Sequence, residues 1–568
     1  MNSVLGQTFI RLGKSFMVTV LKSFILLTAL VAWWILSPAF VLAQNNSIQT
    51  QRSNQRQTDN SVVKNKVIAL LKAGELDQAE TTVRAALSAT PGDSDLHNLF
   101  GVVLDQQGRV AEAESQYRLA LDLNSRSASA HVNLGVLLAR LNRSPEAITS
   151  LEQALRLAPD NLQAIINLGL LYTASRNYSR AILLLEGLIE PDKTEGKVPD
   201  IAVLLALTSD YLAVHRNEDA WNLTNRSLAS IANDARVLYS LGLQFAGAQE
   251  YEHAAALLQR TDAIRPGTPE VLYNLGVAFY NLNRLEEAVR TLESAAALRP
   301  DDPDPLYRLG LIASAQGKSA LAIGYWQKAI TFRENYADAY FLIAEELSNN
   351  KRVNTAIEYY EKAITHDSLK LLYYVRLGAT YFRRRDYHQA REVYERGAVK
   401  FPTAPEIHYL IGYAARAEGL YDDALRSFRR ALSLQPNNVD ALANVGFIYS
   451  EKGEHVEAEK LLRQAIAIDA KHFPAHYDLG RLLVRLKRYN EALTILDRAA
   501  TMSTTDPGIH YQLFTVYSRL KRKPEAEREL VIFKRLEEAR KKGETPGEGS
   551  ASSEPPPPSG STAAKQNP

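Results

Sequence analysis

Cysteine is absent from all 568 residues, and methionine and tryptophan are scarce at three and four. Without thiols there are no disulfides, thiolate metal sites, iron–sulfur clusters, cysteine nucleophiles or lipidated cysteines. A surplus of either charge is also missing, since 66 Lys and Arg stand against 64 Asp and Glu. Binding the phosphate backbone of a nucleic acid needs a cationic surplus, so no nucleic-acid partner is expected. Hydrophobic residues make up 46% and charged residues 23%, the balance of a chain that folds. Beyond residue 43 no uncharged apolar run approaches the length of about 20 residues that spans a bilayer.

The N-terminus carries export features. Arg11, Lys14 and Lys22 precede an uncharged run from Ser23 to Gln51, with its apolar centre at Phe24–Leu36. Pro38 interrupts it, and Val41-Leu42-Ala43 places small residues at signal-peptidase spacing before Gln44. Two readings stay open: a signal peptide over residues 1–43 that is removed, or an uncleaved anchor whose span is residues 24–43. In either case the remainder is exported, as a periplasmic or secreted protein or one held at the membrane. Residues 44–59 read as a polar linker. Residues 541–568, with Pro555–Pro558, read as a disordered Pro/Ser/Gly-rich tail.

Between them the chain repeats itself. Stepping by 34 residues from Ala79 meets Ala113, Ala147 and Ala181. After one slip of five, it meets Ala220, Ala254, Ala288, Ala322, Ala356, Ala390, Ala424, Ala458, Ala492 and Ala526. Twelve residues before these alanines stands a glycine in ten repeats, such as Gly135, Gly276 and Gly446. Ala344 substitutes once, and Val67, Thr208 and Phe514 depart. Fourteen units fill residues 60–540, and the slip near 191–200, rich in Pro, Gly and Lys, reads as a lengthened loop. Each unit reads as two helices. In repeat 7, Leu272, Leu275, Val277 and Phe279 recur at helical spacing, then Ala288, Val289, Leu292 and Ala295. Gly276 and Ala288 are expected to face each other where the paired helices approach closely.

The pattern resembles the tetratricopeptide repeat family, which sets a large residue at position 4, Leu at 7, Gly or Ala at 8, Tyr at 11, Ala at 20, an aromatic at 24, Ala at 27 and Pro at 32. Repeat 10 shows Tyr374, Leu377, Gly378, Tyr381, Ala390, Tyr394, Gly397 and Pro402, and repeats 8 and 11 place Trp326 and Phe428 at position 24. The resemblance implies an all-α fold, a right-handed α-solenoid superhelix of about 14 helix-turn-helix repeats whose helices A line a groove. Repeat 5, with Thr208, Thr224 and Ser227 in slots that are normally small or apolar, is expected to be a softer joint.

Candidate chemistry is weighed against this repetition. His97, His131, His408, His476 and His510 all occupy position 4, a packing slot, and adjacent members stand too far apart to share a metal ion. Gly317-Lys318-Ser319 ends like a phosphate loop but lacks the upstream glycine and reads as an inter-helix turn. No catalytic set stands out, and the residues outside the array leave no room for a catalytic domain. A non-enzymatic chain without cofactor or metal is expected. The groove candidates are Tyr239, Tyr273, Tyr307, Phe341, Tyr409, Tyr477 and Tyr511 at position 5, and Asn133, Asn167, Asn274 and Asn444 at position 6. The resemblance places both positions on the concave side, where amides can read an extended backbone and tyrosines offer flat area with a polar tip. Ser240, Arg308, Leu342, Arg376 and Leu410 break the asparagine ladder, and these residue types are also ordinary packing choices, so ligand binding and packing both stay open. From repeat 2 onward position 5 has no lysine, which sets aside the clamp that family members use for chaperone tails. A basic rim is read at Arg383, Arg384, Arg385, Arg485, Lys487, Arg488, Lys521, Arg522 and Lys523. The expected function is a protein-interaction scaffold of the bacterial cell envelope. The alternative is a polysaccharide-binding or export accessory that uses the tyrosines and this rim.

Overall fold

A computed structural model describes residues 51–189 and 200–542, with side chains from Ser61 onward. The expected signal peptide or anchor, most of the lengthened loop and nearly all of the tail lie outside the described residues. Among the described residues are twenty-eight α-helices, one 3₁₀ turn and no strand. No described helix is long and apolar enough to cross a membrane.

The repeat frame and the helix frame coincide. From repeat 2 onward helix A starts on the first residue of its repeat, as in Ser94–Gln106, Pro269–Asn281 and Pro507–Arg519. Helix B starts on the seventeenth, as in Val110–Leu123 and Leu285–Leu298. The residue before helix A caps it where its chemistry allows. Asp93, Ser127, Asn161 and Asn438 accept from a backbone N–H three residues on, satisfying donors that the first turn leaves open. The turn into helix B passes through a left-handed residue at position 15 in every repeat, from Gly74 (φ 75°) to Lys521 (φ 59°). Gly317 is one of these at φ 72°, so Gly317-Lys318-Ser319 is an inter-helix turn.

Two boundaries differ from the sequence reading. The first helix runs Gln51–Ala73, so it begins inside the segment read as a linker. Residues 51–60 contain no Gly or Pro to stop a helix, and glutamine and arginine are good helix formers. In repeat 4, helix B stops at Leu185 and passes into the 3₁₀ turn Glu186–Leu188.

Helix packing explains the small residue at position 8, with one correction. A Cβ on Gly135 would lie 2.6 Å from Leu151 Cγ, and one on Gly101 would lie 2.5 Å from Tyr117. Gly310 and Gly378 meet Trp326 and Tyr394 in the same way. The partner of position 8 is therefore the large residue at position 24. Gly276 leaves its space chiefly to Leu292, and Ala288 contributes its backbone oxygen at 3.4 Å. Two of the departures replace the glycine–large pair with two medium residues. Val67 stands over Val83, both fully buried, and Thr208 over Thr224, with hydroxyl oxygens 3.5 Å apart. Ser227 donates to the Leu223 carbonyl at 2.9 Å. Repeat 5 thus exchanges a glycine–large pair for two medium residues and bonds the hydroxyls it buries.

The contacts group the chain into two compact units whose described parts are residues 51–299 and 300–542. In the first, buried residues run continuously from Val67 to Ala181 and from Ile182 to Leu257. In the second they run from Phe382 to Ile448 and on to Val516. Within each unit, a helix A touches its own helix B, and the next helix A packs against that pair. Every repeat thus completes the core of its neighbour, which is the packing logic of an α-solenoid.

Candidate functional site

The position-4 histidines are tied to the backbone. His97 Nε2 lies 2.9 Å from the Pro91 carbonyl, and His131, His408 and His510 reach the carbonyls of Ser125, Pro402 and Thr504. Each carbonyl belongs to position 32 of the preceding repeat, and Tyr374 bonds Ser368 across the same interval. His476 instead meets the His472 carbonyl through Nδ1, at 3.0 Å. The slot pins the loop that enters helix A. No group of three or more His, Asp or Glu among the described residues is placed to hold a metal ion.

The groove candidates divide. Phe341 and Tyr409 are buried at 2% and 1% exposure and therefore face no ligand. Phe341 is covered by Tyr373 of the next helix A, stacked at 4.8 Å, and Tyr409 packs on Phe428 and Tyr413. Tyr307 stacks on Tyr336 at 4.8 Å. Tyr239 is half-buried and its hydroxyl is pushed up to about 12, mainly by burial. It accepts from Asn274 Nδ2 at 3.0 Å. Asn133 donates to Asn98 Oδ1 at 2.9 Å across the same interval of 35 residues. Position 6 therefore bridges back to position 5 of the preceding repeat. The remaining amide donors go to helix carbonyls: Asn167 to Gln163, Asn274 to Glu270 and Asn444 to Asp440, at 2.7–2.8 Å. Asn133 and Asn274 thus couple neighbouring helices A, while Asn167 and Asn444 bond within their own helix. Tyr273 is half-buried, while Tyr477 and Tyr511 lie together near the end of the second unit.

The arrangement with ligand-like chemistry lies beside these positions. On the helices A of repeats 11 to 13 (Pro405–Ala417, Val439–Lys452 and Phe473–Arg485), cations and rings alternate. Arg416 lies over Tyr413 at 5.0 Å and over Phe447 at 5.1 Å. Arg481 lies over the Phe447 ring at 5.9 Å and over Tyr477 at 5.8 Å. Tyr477 in turn stacks on Phe473. Guanidinium groups attract ring faces and keep their N–H edges free for a carboxylate or a carbonyl. Arg416 forms no ion pair among the described residues. Arg481 Nη2 lies 3.5 Å from Glu451 and Nη1 lies 3.6 Å from Asp478, whose carboxyl burial pushes up to about 6 against the pull of Arg481 and Arg416. Asn444 Oδ1 is buried and has no partner. His472 caps its helix by accepting at Nδ1 from Ala475 N–H, which leaves the Nε2 proton to donate to Asp440 at 3.1 Å. Position 9 carries the signal that reading positions 5 and 6 misses: Tyr413, Phe447 and Arg481 occupy it in three consecutive repeats.

The basic rim is partly neutralised. Arg384 pairs with Asp386, Arg485 with Glu451, Arg488 with Glu459 and Glu491, and Arg522 with Glu525. Arg383 donates to Ser348. Arg385, Lys487, Lys521 and Lys523 are exposed, and the first three occupy the left-handed position 15. Arg488 also follows a rule that the sequence reading missed. An arginine at position 16 grips the acid three residues on and a glutamate of the preceding helix B, as Arg109 does with Glu112 and Glu80 and Arg143 with Glu146 and Glu114. The position-16 arginines latch adjacent repeats, while Arg385, Lys487, Lys521 and Lys523 stay exposed at the corners.

A comparison with curated proteins yields no match. Among solved structures, yeast Tom70 is 16% identical, covering 76% of this chain and 96% of its own, with a TM-score of 0.31. The C-terminal part of a TPR repeat-containing protein from Cytophaga hutchinsonii is 18% identical, covering 42% of this chain and 99% of its own, with a TM-score of 0.39. The Cut9–Hcn1 hetero-tetramer of the APC/C is 15% identical, covering 82% and 99%, with a TM-score of 0.31. Family models described as tetratricopeptide repeat match residues 65–128, 132–195, 245–312, 337–367, 375–439, 415–479 and 449–502. Together the matches span most of the array, and the chain belongs to the tetratricopeptide repeat family.

Proposed function

We propose that this protein is a non-catalytic scaffold of the bacterial cell envelope that holds a segment of a partner protein along the helices A of repeats 11 to 13. The observation that carries this reading is the alternation of Tyr413, Arg416, Phe447, Arg481 and Tyr477 across three consecutive helices. Such a surface favours an acidic or aromatic segment: the guanidinium edges meet carboxylates, and the rings supply flat contact area. The reading rests also on the family, whose repeats serve protein interaction, and on the export features of residues 1–43.

A photo-reactive phenylalanine analogue at position 447 in cells tests it, with position 183, 77% exposed on a helix B, as control. Adducts from 447, absent from 183 and lost on Arg416→Ala/Arg481→Ala, are expected. Equal adducts from both positions would remove the groove assignment. Fractionation of the same cells tests the location, which fails if the protein stays with cytosolic markers.

A further inference from the structure

The row of helices A ends on an uncovered aromatic surface. In the interior of the second unit, Phe341 at position 5 is roofed by Tyr373 of the next helix A. Tyr511 sits on the last helix A and stays 48% exposed, with Phe533 of the terminal helix Lys523–Lys542 beside it at 5.4 Å. These two rings and Tyr477 wall a cleft of about 400 Å³, with Glu537 and Arg540 at its rim. The cleft is shaped by sequence. A Cβ on Gly508 would stand 2.6 Å from the Tyr477 hydroxyl, so glycine is what lets that ring reach the floor.

We propose that this cleft binds a proline-rich segment and that its occupant is the chain's own Pro555–Pro558. Proline rings pack on flat aromatic faces, and a polyproline run is already extended, so little entropy is lost on docking. Such a run has carbonyls but no N–H groups, so it needs donors from its site. The Tyr477 hydroxyl and the Arg540 guanidinium supply them. The reach fits as well. Arg540 is in the cleft wall, and twelve residues, Gly543 to Glu554, separate the end of that helix from Pro555. A Gly/Ser-rich linker of that length spans roughly 20 Å on average, which keeps the prolines at an effective concentration in the millimolar range. Charge agrees too, because the terminal helix ends on Arg540, Lys541 and Lys542 while the linker carries Glu544, Glu548 and Glu554. The cleft shares Tyr477 with the arginine–ring row, but the proposal does not rest on Arg416, Phe447 or Arg481.

The test is amide hydrogen exchange on the full chain and on a variant with all four prolines replaced (P555S, P556S, P557S and P558S). Slower exchange over residues 507–514 and 530–540 in the wild type, lost both in this variant and in Tyr511→Ala, is expected. A peptide of residues 552–560 added at millimolar concentration to the four-serine variant should restore the protection. Identical exchange in wild type and four-serine variant overturns the proposal, as does failure of the peptide. Protection that grows with protein concentration assigns the tail to a second copy and overturns the intramolecular assignment.

Discussion

Asp210 shows what one side chain costs and controls. It is fully buried at position 10 of repeat 5, where the Thr173 hydroxyl donates to Oδ2 at 2.7 Å and Oδ1 has no partner. Burial pushes its carboxyl from 3.8 up to about 7. The folded chain therefore holds this proton more tightly than the unfolded chain does. The stabilisation is complete below the unfolded value and is lost as the pH rises to about 7, at about 1.4 kcal/mol per unit. Asp210→Asn retains an acceptor for Thr173 and cannot ionise. The variant should gain on the wild type as the pH rises through this window and hold a constant advantage above it. Urea midpoints measured across the window check this, and parallel pH profiles would contradict it. The left-handed residues at position 15 are a second residue-scale feature. Nine of the fourteen are not glycine, so the turn into helix B is imposed by the two helices rather than by local preference.

At the scale of the helix pair, the controlling quantity is the combined volume of positions 8 and 24. Gly135→Ala would push a methyl group into Leu151, with the Ala147 carbonyl only 3.3 Å behind it. Overpacking of this kind costs about 1–3 kcal/mol. Leu151→Ala alone opens a cavity and costs about 2–5 kcal/mol. The double variant should cost less than the sum, because the added methyl group partly fills the space that the leucine leaves. Local hydrogen exchange in repeat 3 for the four members of this cycle checks the coupling, and strict additivity would show that the residues do not share one space. The position-16 arginines act between pairs instead. Their side chains are about one-third exposed, 35% for Arg109 and 38% for Arg143, so each contributes modestly and aligns neighbours more than it holds them.

Across the whole molecule, stability is a chain of neighbour contacts. Within each unit a repeat touches only those beside it, so unfolding need not be a single event. Two tryptophans report from separate places in the array: half-buried Trp221 in repeat 5, stacked on His253 at 4.1 Å, and Trp326 in repeat 8, at 1% exposure. With Trp33 and Trp34 replaced by phenylalanine, a Trp326→Phe variant reports on repeat 5 and a Trp221→Phe variant on repeat 8. Their urea transitions should not coincide, and superimposable curves would mean that the array unfolds as one block.

What could be read from the chain alone follows from periodicity. The period of 34, the alanine at position 20 and the small residue at position 8 mark contacts that every repeat must make, so each is written many times. Helix class, the repeat register and the structural character of the position-4 histidines followed, because a slot filled by one residue type in five repeats is a packing slot. Which residues meet across repeats could not be read the same way. Tyr409 and Tyr511 occupy the same position, yet one is buried and the other is half exposed, because only the first has a further helix A lying over it. Position 8 was legible as small, but its partner, the large residue at position 24, emerged only from the packed pair. The arginine–ring row of repeats 11 to 13 recurs at position 9 with a different residue type each time, so no single type marks it, and it exists only because three helices lie side by side. Sequence by itself determined the repeated contact, since repetition encodes local geometry. The tertiary structure decided which copies of that contact are roofed, paired or left open, since this depends on what each repeat has for a neighbour.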